Sequence, residues 1–588
     1  MKKIIPLLLL ALFIFSCQNK EYNPLTPTEK TKQHFVAHYS EFAKEVSELN
    51  TLIQKKSDKK TLRQKFKSTR LAYKKTEALL TFYFPETAIK INGAAIDKND
   101  IQETSRKTEE ATGFQKVEEL LFSDESDTEE LKKQIGILNG YVQSAKTNTE
   151  NILLSDSNIF EAQKLEMLRM MSLGISGFDS PIAFHSIPET KAVIQSIGRT
   201  ISIFKTDEAF TALISQTETY LDKNQDFDTF NRAEFIVTYC IPISKKIQQL
   251  QKELKIKNNP FPGAINFEEA TVFEETAFNV NYFAPAYNQN PSNEQIALGE
   301  QLFSDTILSG NNQVSCTTCH IPSQAYADHK TKAVENGKLS RNTPTLLNSG
   351  FQNTLFLDGR VQYLEDQVKA VINNKDEMHG SFAHALDKVK KSTKYKPEFK
   401  KAFPNDNEIT EQNLLKSLAS YVRSLSKLNS KFDSYLRGKA AFSSQEKNGF
   451  NLFMGKAKCA TCHFFPLFNG SVPPFYNETE SEVLGVPSKN VIQNATIDTD
   501  LGEYLITKAP LKKHAFKTPT IRNSAVTFPY MHNGVYNSLE EVIDFYNRGG
   551  GAGIGINLDN QTLPTDKLNL SKTEIQELVA FIKTLNNH

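Results

Sequence analysis

The chain has 588 residues, of which 39% are hydrophobic and 23% charged, and its net charge is +1. This length implies several domains, and this composition a globular chain with enough core-forming residues to exclude general disorder. The near-zero charge excludes a global field that would draw the chain to nucleic acid or an anionic membrane. Tryptophan is absent, against 40 phenylalanines and 19 tyrosines.

The chain opens with Met1-Lys2-Lys3, an apolar run from Ile4 to Phe15, and Ser16-Cys17. Basic residues before a short apolar run form a secretory signal. The run is shorter than the roughly 20 residues of a transmembrane helix. Cys17 after a small residue reads as a lipoprotein processing site. Residues 1–17 are therefore expected to be a lipoprotein signal peptide, Cys17 the lipidation site and Gln18–Lys30 a polar tether. The expected address is the periplasm or cell envelope, with a lipid anchor as the only membrane contact.

From about residue 29 to 257 the pattern is helical. Phe35, Tyr39, Phe42, Val46 and Leu49 recur at the three-to-four spacing of one helix face. Pro85, Pro181, Pro188 and Pro242 punctuate a helical bundle. Within it, Gly113-Phe-Gln-Lys-Val-Glu118 resembles the imelysin-like family of periplasmic helical domains. In that family a Gly-x-His-x-x-Glu motif supplies suspected metal ligands. Here Gln115 replaces the His, and an amide is a poor ligand for a transition metal, so Glu118 is expected on the helix surface or at a cap. Arg70, Tyr73 and Glu77 share one face, as solvated residues also do. His185 reads as structural, and Cys240, in Phe235-Ile-Val-Thr-Tyr-Cys240, as a buried thiol.

Residues 258–290 carry Asn258-Asn-Pro-Phe-Pro-Gly263 and Asn288-Gln-Asn-Pro291, which break periodicity and mark a linker. Ser292 then caps a helix through Phe303. Two motifs follow, Cys316-Thr-Thr-Cys319-His320 and Cys459-Ala-Thr-Cys462-His463. Cys-x-x-Cys-His is the attachment signature of c-type haem: the thiols bond the porphyrin vinyl groups and the His ligates the iron. Two Cys-x-x-Cys pairs can also make a four-cysteine zinc site. The His after each pair and the secretory signal favour haem. With Cys17 lipidated, four cysteines on haem and Cys240 alone, no structural disulfide remains.

The second half of the chain resembles the bacterial dihaem cytochrome c peroxidase family, which includes the MauG-type enzymes. The stretches that match are Leu298-Gly-Glu-Gln-Leu-Phe-Ser-Asp305, Leu308-Ser309, both haem motifs, Arg341-Asn-Thr-Pro344, Phe356-Leu-Asp-Gly-Arg360, Glu377-Met378, Arg522-Asn523 and Pro529-Tyr-Met-His-Asn-Gly534. The resemblance implies a mainly α fold, with a helical bundle followed by two cytochrome c domains. Residues 291–435 would hold the peroxidatic haem and 436–588 the electron-transfer haem.

By the same resemblance Glu377 is the catalytic acid–base group, Gln367 its distal partner, and His320 and His463 the proximal iron ligands. Tyr546 takes the sixth-ligand position of the second haem. The Asn342 side chain and the Thr527 and Pro529 carbonyls bind a bridging calcium ion. Some relatives cap the first iron with a His; the matching stretch Lys332–Lys338 has none, and His329 falls several residues early, so a five-coordinate first haem is expected. The family's inter-haem Trp is replaced by Leu357, which cannot be oxidised; Tyr363 nearby is redox-capable.

The expected activity is reduction of hydrogen peroxide to water with electrons from a small cytochrome or another one-electron donor protein. The alternatives are a MauG-like oxidase that modifies a partner protein and a non-enzymatic dihaem electron carrier. The helical domain is not expected to serve the haem chemistry, so a chain starting near Pro291 should keep peroxide reactivity.

Overall fold

The computed structural model describes residues 24–99, 108–124, 127–260, 263–333 and 339–587. The signal segment, Cys17 and residues 334–338 lie outside the described residues. The architecture is mainly α, and the only strand pairings between named strands among the described residues are two short antiparallel hairpin-like pairs, 98–99 with 108–109 and 481–483 with 515–517. No helix among the described residues is long and apolar enough to cross a membrane.

The first helix, Pro27–Gln54, starts at a capping box in which the Thr26 hydroxyl accepts from the Glu29 amide and the Glu29 carboxylate accepts from the Thr26 amide. Its buried face is the one read from the periodicity, with Phe35, Tyr39, Phe42, Val46 and Leu49 in the core. Helices Lys59–Lys74, Thr128–Glu150, Asp156–Arg169, Ser186–Phe204 and Ile241–Glu253 complete most of the bundle. Two of its helices carry single π-helical turns, Met170–Gly174 and Ile236–Cys240. Cys240 is fully buried in the second, and burial pushes its thiol well up.

The face bearing Arg70, Tyr73 and Glu77 is not solvated; all three are buried. Glu77 falls on a separate helix, Glu77–Tyr83, after a break at residues 75–76. Arg70 donates to both Glu189 oxygens at 2.5 and 2.7 Å. Lys74 reaches Glu77 at 2.9 Å and Asp179 at 2.5 Å, and Arg169 bridges Glu77 and Asp179 at 2.8 Å each. A buried charge is tolerated only when paired and hydrogen-bonded, and here three cations share three carboxylates. The helical periodicity could not distinguish this face from a wet one, because charged residues occupy both.

The two halves of the second part are built alike. Helix Asn293–Ser304 crosses helix Glu411–Ser424 at Gly299, where a Cβ would strike the Ser417 carbonyl. Helix Ser444–Met454 crosses helix Lys572–Lys583 at Gly449, where a Cβ would strike the Glu577 carbonyl. In each case only glycine lets the backbones meet, and a Cys-x-x-Cys-His turn follows the first helix. Ser292 caps the Asn293–Ser304 helix, again in a capping box.

Residues 263–290 form a packed strap. Ala264, Ile265, Ala277, Phe278 and Phe283 are buried in one cluster with Leu165 and Leu168 of the bundle and with Phe351, Leu428, Leu467 and Tyr476 of the haem-motif half. A larger core runs without interruption from Phe160, Ile197 and Phe235 of the bundle into Phe432, Phe450, Phe465 and Phe581. Ser172, in the first π-helical turn, donates to the Phe465 carbonyl at 2.6 Å, and the Phe178 ring lies 5.4 Å from Phe464. Phe464 and Phe465 directly follow His463. The bundle therefore packs on the second haem motif itself, and the expectation of a helical domain independent of the haem half is not what the structure shows.

Candidate active site

Both haem motifs form the same short structure. Cys316–Thr318 and Cys459–Thr461 are single 3-10 turns, with the His amide donating to the first Cys carbonyl at 2.9 Å in each. None of the four cysteines is in a disulfide, and all four are half-buried. Burial, with the Cys319 and Glu377 charges after it, pushes the Cys316 thiol up to about 12; burial does the same to Cys459.

The two histidines are prepared as ligands. His320 Nδ1 pairs with the Tyr326 carbonyl at 3.0 Å, and His463 Nδ1 with the Pro519 carbonyl at 3.0 Å. A carbonyl can only accept, so each Nδ1 carries the proton and each Nε2 keeps its lone pair for a metal. Burial lowers the pKa of both, that of His463 to about 4, so the neutral imidazole is the form present at neutral pH. Two thiols and one metal-ready imidazole in each turn fit a covalently attached haem. Four sulfurs around one ion are not assembled: no cluster of three or more His, Cys, Asp or Glu able to hold a metal occurs among the described residues.

Glu377 lies beside the first motif, close enough for its charge to act on Cys316. It is half-buried, and burial raises its pKa. Asn374 orients it, donating from its side-chain amide to Oε1 at 2.9 Å while its carbonyl accepts the Glu377 amide at 3.1 Å. Gln367 is half-buried on helix Leu364–Asn373, which ends at the C-cap Asn374. No His approaches this site from 329: His329 Nε2 pairs with the Val526 carbonyl at 3.0 Å, and its ring stacks on Phe528 at 4.3 Å.

Tyr546 lies on helix Leu539–Asn547, in the second site. Burial raises its pKa, and so do the neighbouring Cys462, Cys459 and Glu482. The phenol thus lies near enough to Cys459 and Cys462 for their charges to act on it. Asn342 donates from its side-chain amide to the Pro529 carbonyl at 2.9 Å, and its backbone amide donates to the His532 carbonyl at 2.9 Å. Two of the three expected calcium ligands are thus in contact, and Thr527 sits on the same loop as Pro529. Leu357 lies where the two haem-bearing halves meet, its carbonyl accepting the Lys517 amide at 2.8 Å. Tyr363 is among the exposed large side chains.

Glu118 takes the cap of the two places expected of it, not the helix surface. It is fully buried and accepts from the Ile182 and Ala183 amides at 2.9 and 2.7 Å and from the Ser180 hydroxyl at 3.2 Å. Its role is to cap the loop 180–183, the second of the two roles its position suggested. Gln115 is buried beside it. His185 sits half-buried at the start of the next helix, 3.4 Å from Glu189.

Three features escaped the sequence. Arg341 joins the halves, binding Asp500 at 2.7 and 3.0 Å and Asp358 at 2.7 Å. Glu482, carried by the short strand 481–483, accepts from the Cys462 thiol at 3.4 Å. Tyr326 and Tyr421 meet hydroxyl to hydroxyl at 3.0 Å. Each joins residues 17 or more positions apart, where no local pattern reports a neighbour.

The sequence model of the di-haem cytochrome c peroxidase family matches residues 293–441. The cytochrome-c peroxidase IdrP1 of a Pseudomonas species is 34% identical over 326 residues, which cover 51% of this chain and 83% of that protein. The chain belongs to the dihaem cytochrome c peroxidase family. The methylamine utilization protein MauG of Methylorubrum extorquens is 34% identical over 295 residues, 50% of this chain and 78% of its own. A solved MauG-like protein associated with microbial copper homeostasis aligns at 28% identity over 52% of this chain and 92% of its own, with a TM-score of 0.46. As a family member the chain is a peroxidase-type oxidoreductase with two c-type haems, and His320 and His463 present the nitrogen such haems require. These relatives align with about half of the chain.

Proposed function

We propose that this protein reduces hydrogen peroxide to water at the first haem site, drawing electrons through the second site from a small cytochrome or another one-electron donor. The observation that carries this reading is Glu377, a carboxyl with a raised pKa, oriented by Asn374 beside Cys316. The haem, when bound by Cys316, Cys319 and His320, supplies the redox chemistry. The chain supplies the proton transfer: Glu377 takes a proton from one peroxide oxygen and returns it to the other as water leaves, and a pKa nearer neutrality suits one group to both tasks. Gln367, on the helix that ends just before Asn374, is proposed as its hydrogen-bonding partner. Peroxide-dependent oxidation of reduced cytochrome c by the holoprotein tests the reading. Glu377→Gln keeps the shape and removes the base, and should lower turnover on the order of 100-fold or more. Near-wild-type turnover in that variant would remove Glu377 from the mechanism. Because the carboxyl pKa is raised, activity should fall on the acid side at a pH above the ordinary carboxylate range.

A second reading, a MauG-like oxidase acting on a partner protein, is favoured by Tyr546. An anionic phenolate ligand favours ferric iron and lowers the potential, which suits storage of oxidising equivalents over rapid electron input. Its marker is peroxide consumption with slow oxidation of cytochrome c. With His329 tied to Val526, the first iron would meet peroxide in the fully oxidised protein, and stopped-flow absorption of the ferric protein tests this.

Three proposals remain on sequence and contact grounds. Asn342, Thr527 and Pro529 bind calcium, with oxygen donors that suit this ion; elemental analysis before and after chelation tests it. Cys17 carries the lipid that holds the protein at a membrane facing the periplasm, and Cys17→Ser should release it to the soluble fraction. The helical half is imelysin-like in fold, with Glu118 Oε1 held by its loop.

A further inference from the structure

Behind the first haem motif lies a tyrosine pair that the peroxidase reading does not use. The Tyr326 carbonyl accepts from His320 Nδ1 at 3.0 Å, so the backbone of Tyr326 touches the proximal ligand. Its hydroxyl meets that of Tyr421 at 3.0 Å. Tyr421 stands on helix Glu411–Ser424 at the Gly299 crossing, where that helix approaches most closely the helix that leads to the motif. Both tyrosines pack in one apolar cluster with Cys316 and Phe303; the Phe303 ring is 5.1 Å from Tyr421 and 6.3 Å from Tyr326. Cys316 is near enough to act on the Tyr421 phenol. The pair thus adjoins two of the residues that would hold the haem, the His320 imidazole and Cys316.

The rest of the chain makes this placement consequential. There is no tryptophan, and between the two halves Leu357 offers an aliphatic side chain. Tyrosine is the remaining common side chain that gives up one electron readily. The exposed carboxylate of Glu300 stands on the neighbouring helix, near enough for its charge to act on Tyr421.

We propose that the Tyr326–Tyr421 pair is a redox site that supplies one of the two electrons peroxide takes, and that it then holds a phenoxyl radical. The proposal rests on the peroxidase reading above. Peroxide accepts two electrons and two protons and yields two waters. One electron comes from the haem centre and one from the phenol pair. The oxidised phenol loses its O–H proton along the hydroxyl–hydroxyl hydrogen bond, and the second hydroxyl passes its own proton toward Glu300 and solvent. One electron from the donor protein, with one proton from solvent, restores the phenol, and a second donor electron restores the haem centre.

The test is freeze-quench EPR of the holoprotein mixed with one equivalent of hydrogen peroxide, with haem absorption followed in parallel. Ring-deuterated tyrosine identifies a phenoxyl signal by its narrowing. Tyr326→Phe and Tyr421→Phe each remove a single oxygen and keep the ring, and only variants that retain two haems and the wild-type ferric spectrum are compared. The expected result is a phenoxyl signal in the wild type, weakened in each single variant, lost in Tyr326→Phe/Tyr421→Phe, and unchanged in Tyr363→Phe. A phenoxyl signal of wild-type size in the double variant overturns the proposal. So does a haem spectrum that changes with no phenoxyl signal, and both outcomes leave the peroxidase reading standing. A haem spectrum that does not respond to peroxide overturns that reading and this proposal together.

Discussion

Deleting the helical half is the most informative perturbation. A protein starting at Pro291 retains every residue of the two haem sites but loses both the bundle and the strap. Phe464 and Phe465, both fully buried, lose their neighbours Phe178 and Phe273. Phe351, Leu467 and Tyr476 lose Phe278, Phe283 and the rest of the strap cluster. Gly455 loses the Arg232 side chain that lies against it, and Asn451 loses its bonds to the Ala233 amide and Asn231. Complete exposure of one large apolar side chain costs about 1.5–3 kcal/mol. If five such side chains lose about half their cover, the loss is on the order of 4–8 kcal/mol. That is comparable to the whole stability of a typical domain, about 5–15 kcal/mol. The second haem-bearing half should therefore unfold or aggregate, even though relatives align with this half of the chain. The assay is soluble yield, the pyridine haemochrome count per chain and thermal unfolding of the truncated protein beside the full one. A soluble truncated monomer with two haems and an unchanged melting temperature would refute the reasoning, and would return the helical half to the independent status its sequence suggested.

Arg70→Leu leaves the buried Glu189 carboxylate without its bidentate partner and should destabilise the bundle by about 3–5 kcal/mol, the usual cost of breaking a buried pair, as read by urea unfolding. Pairing with Arg70 holds Glu189 down at about 2 against burial, which alone would raise it. A lowered pKa contributes stability above the unfolded value, about 4.3, and loses it as pH falls toward about 2. Far-UV circular dichroism should therefore show the wild-type bundle losing this stability across that acid window, and Arg70→Leu showing less pH dependence there. Tyr546→Phe removes the phenol oxygen near Cys459 and Cys462, and should change the EPR and absorption spectrum of the second haem while leaving two haems per chain; an unchanged spectrum would make Tyr546 a packing residue.

The covalent chemistry of this protein is local, and the sequence determined it. A Cys-x-x-Cys-His turn closes within five residues, so its spacing alone assigns thiols and ligand, and the motifs at 316 and 459 each form a single 3-10 turn. Caps are local too: Ser292 was legible because its partner Gln295 is three residues away. Helix faces such as Phe35–Leu49 were legible because burial repeats with the helical period. The tertiary structure decided the rest. Whether Arg70 and Glu77 face water or a buried network depends on Asp179 and Glu189, more than 100 positions away. Residues 263–290 break periodicity whether they form a free linker or, as here, a packed strap. The meeting of Tyr326 with Tyr421 across 95 positions occurs at a helix crossing where glycine lets backbones touch, and the seating of the bundle on Phe464 and Phe465 comes from side chains of distant segments. Composition and spacing carry no trace of such contacts, because the free energy that fixes them comes from burying surfaces that only the folded chain brings together.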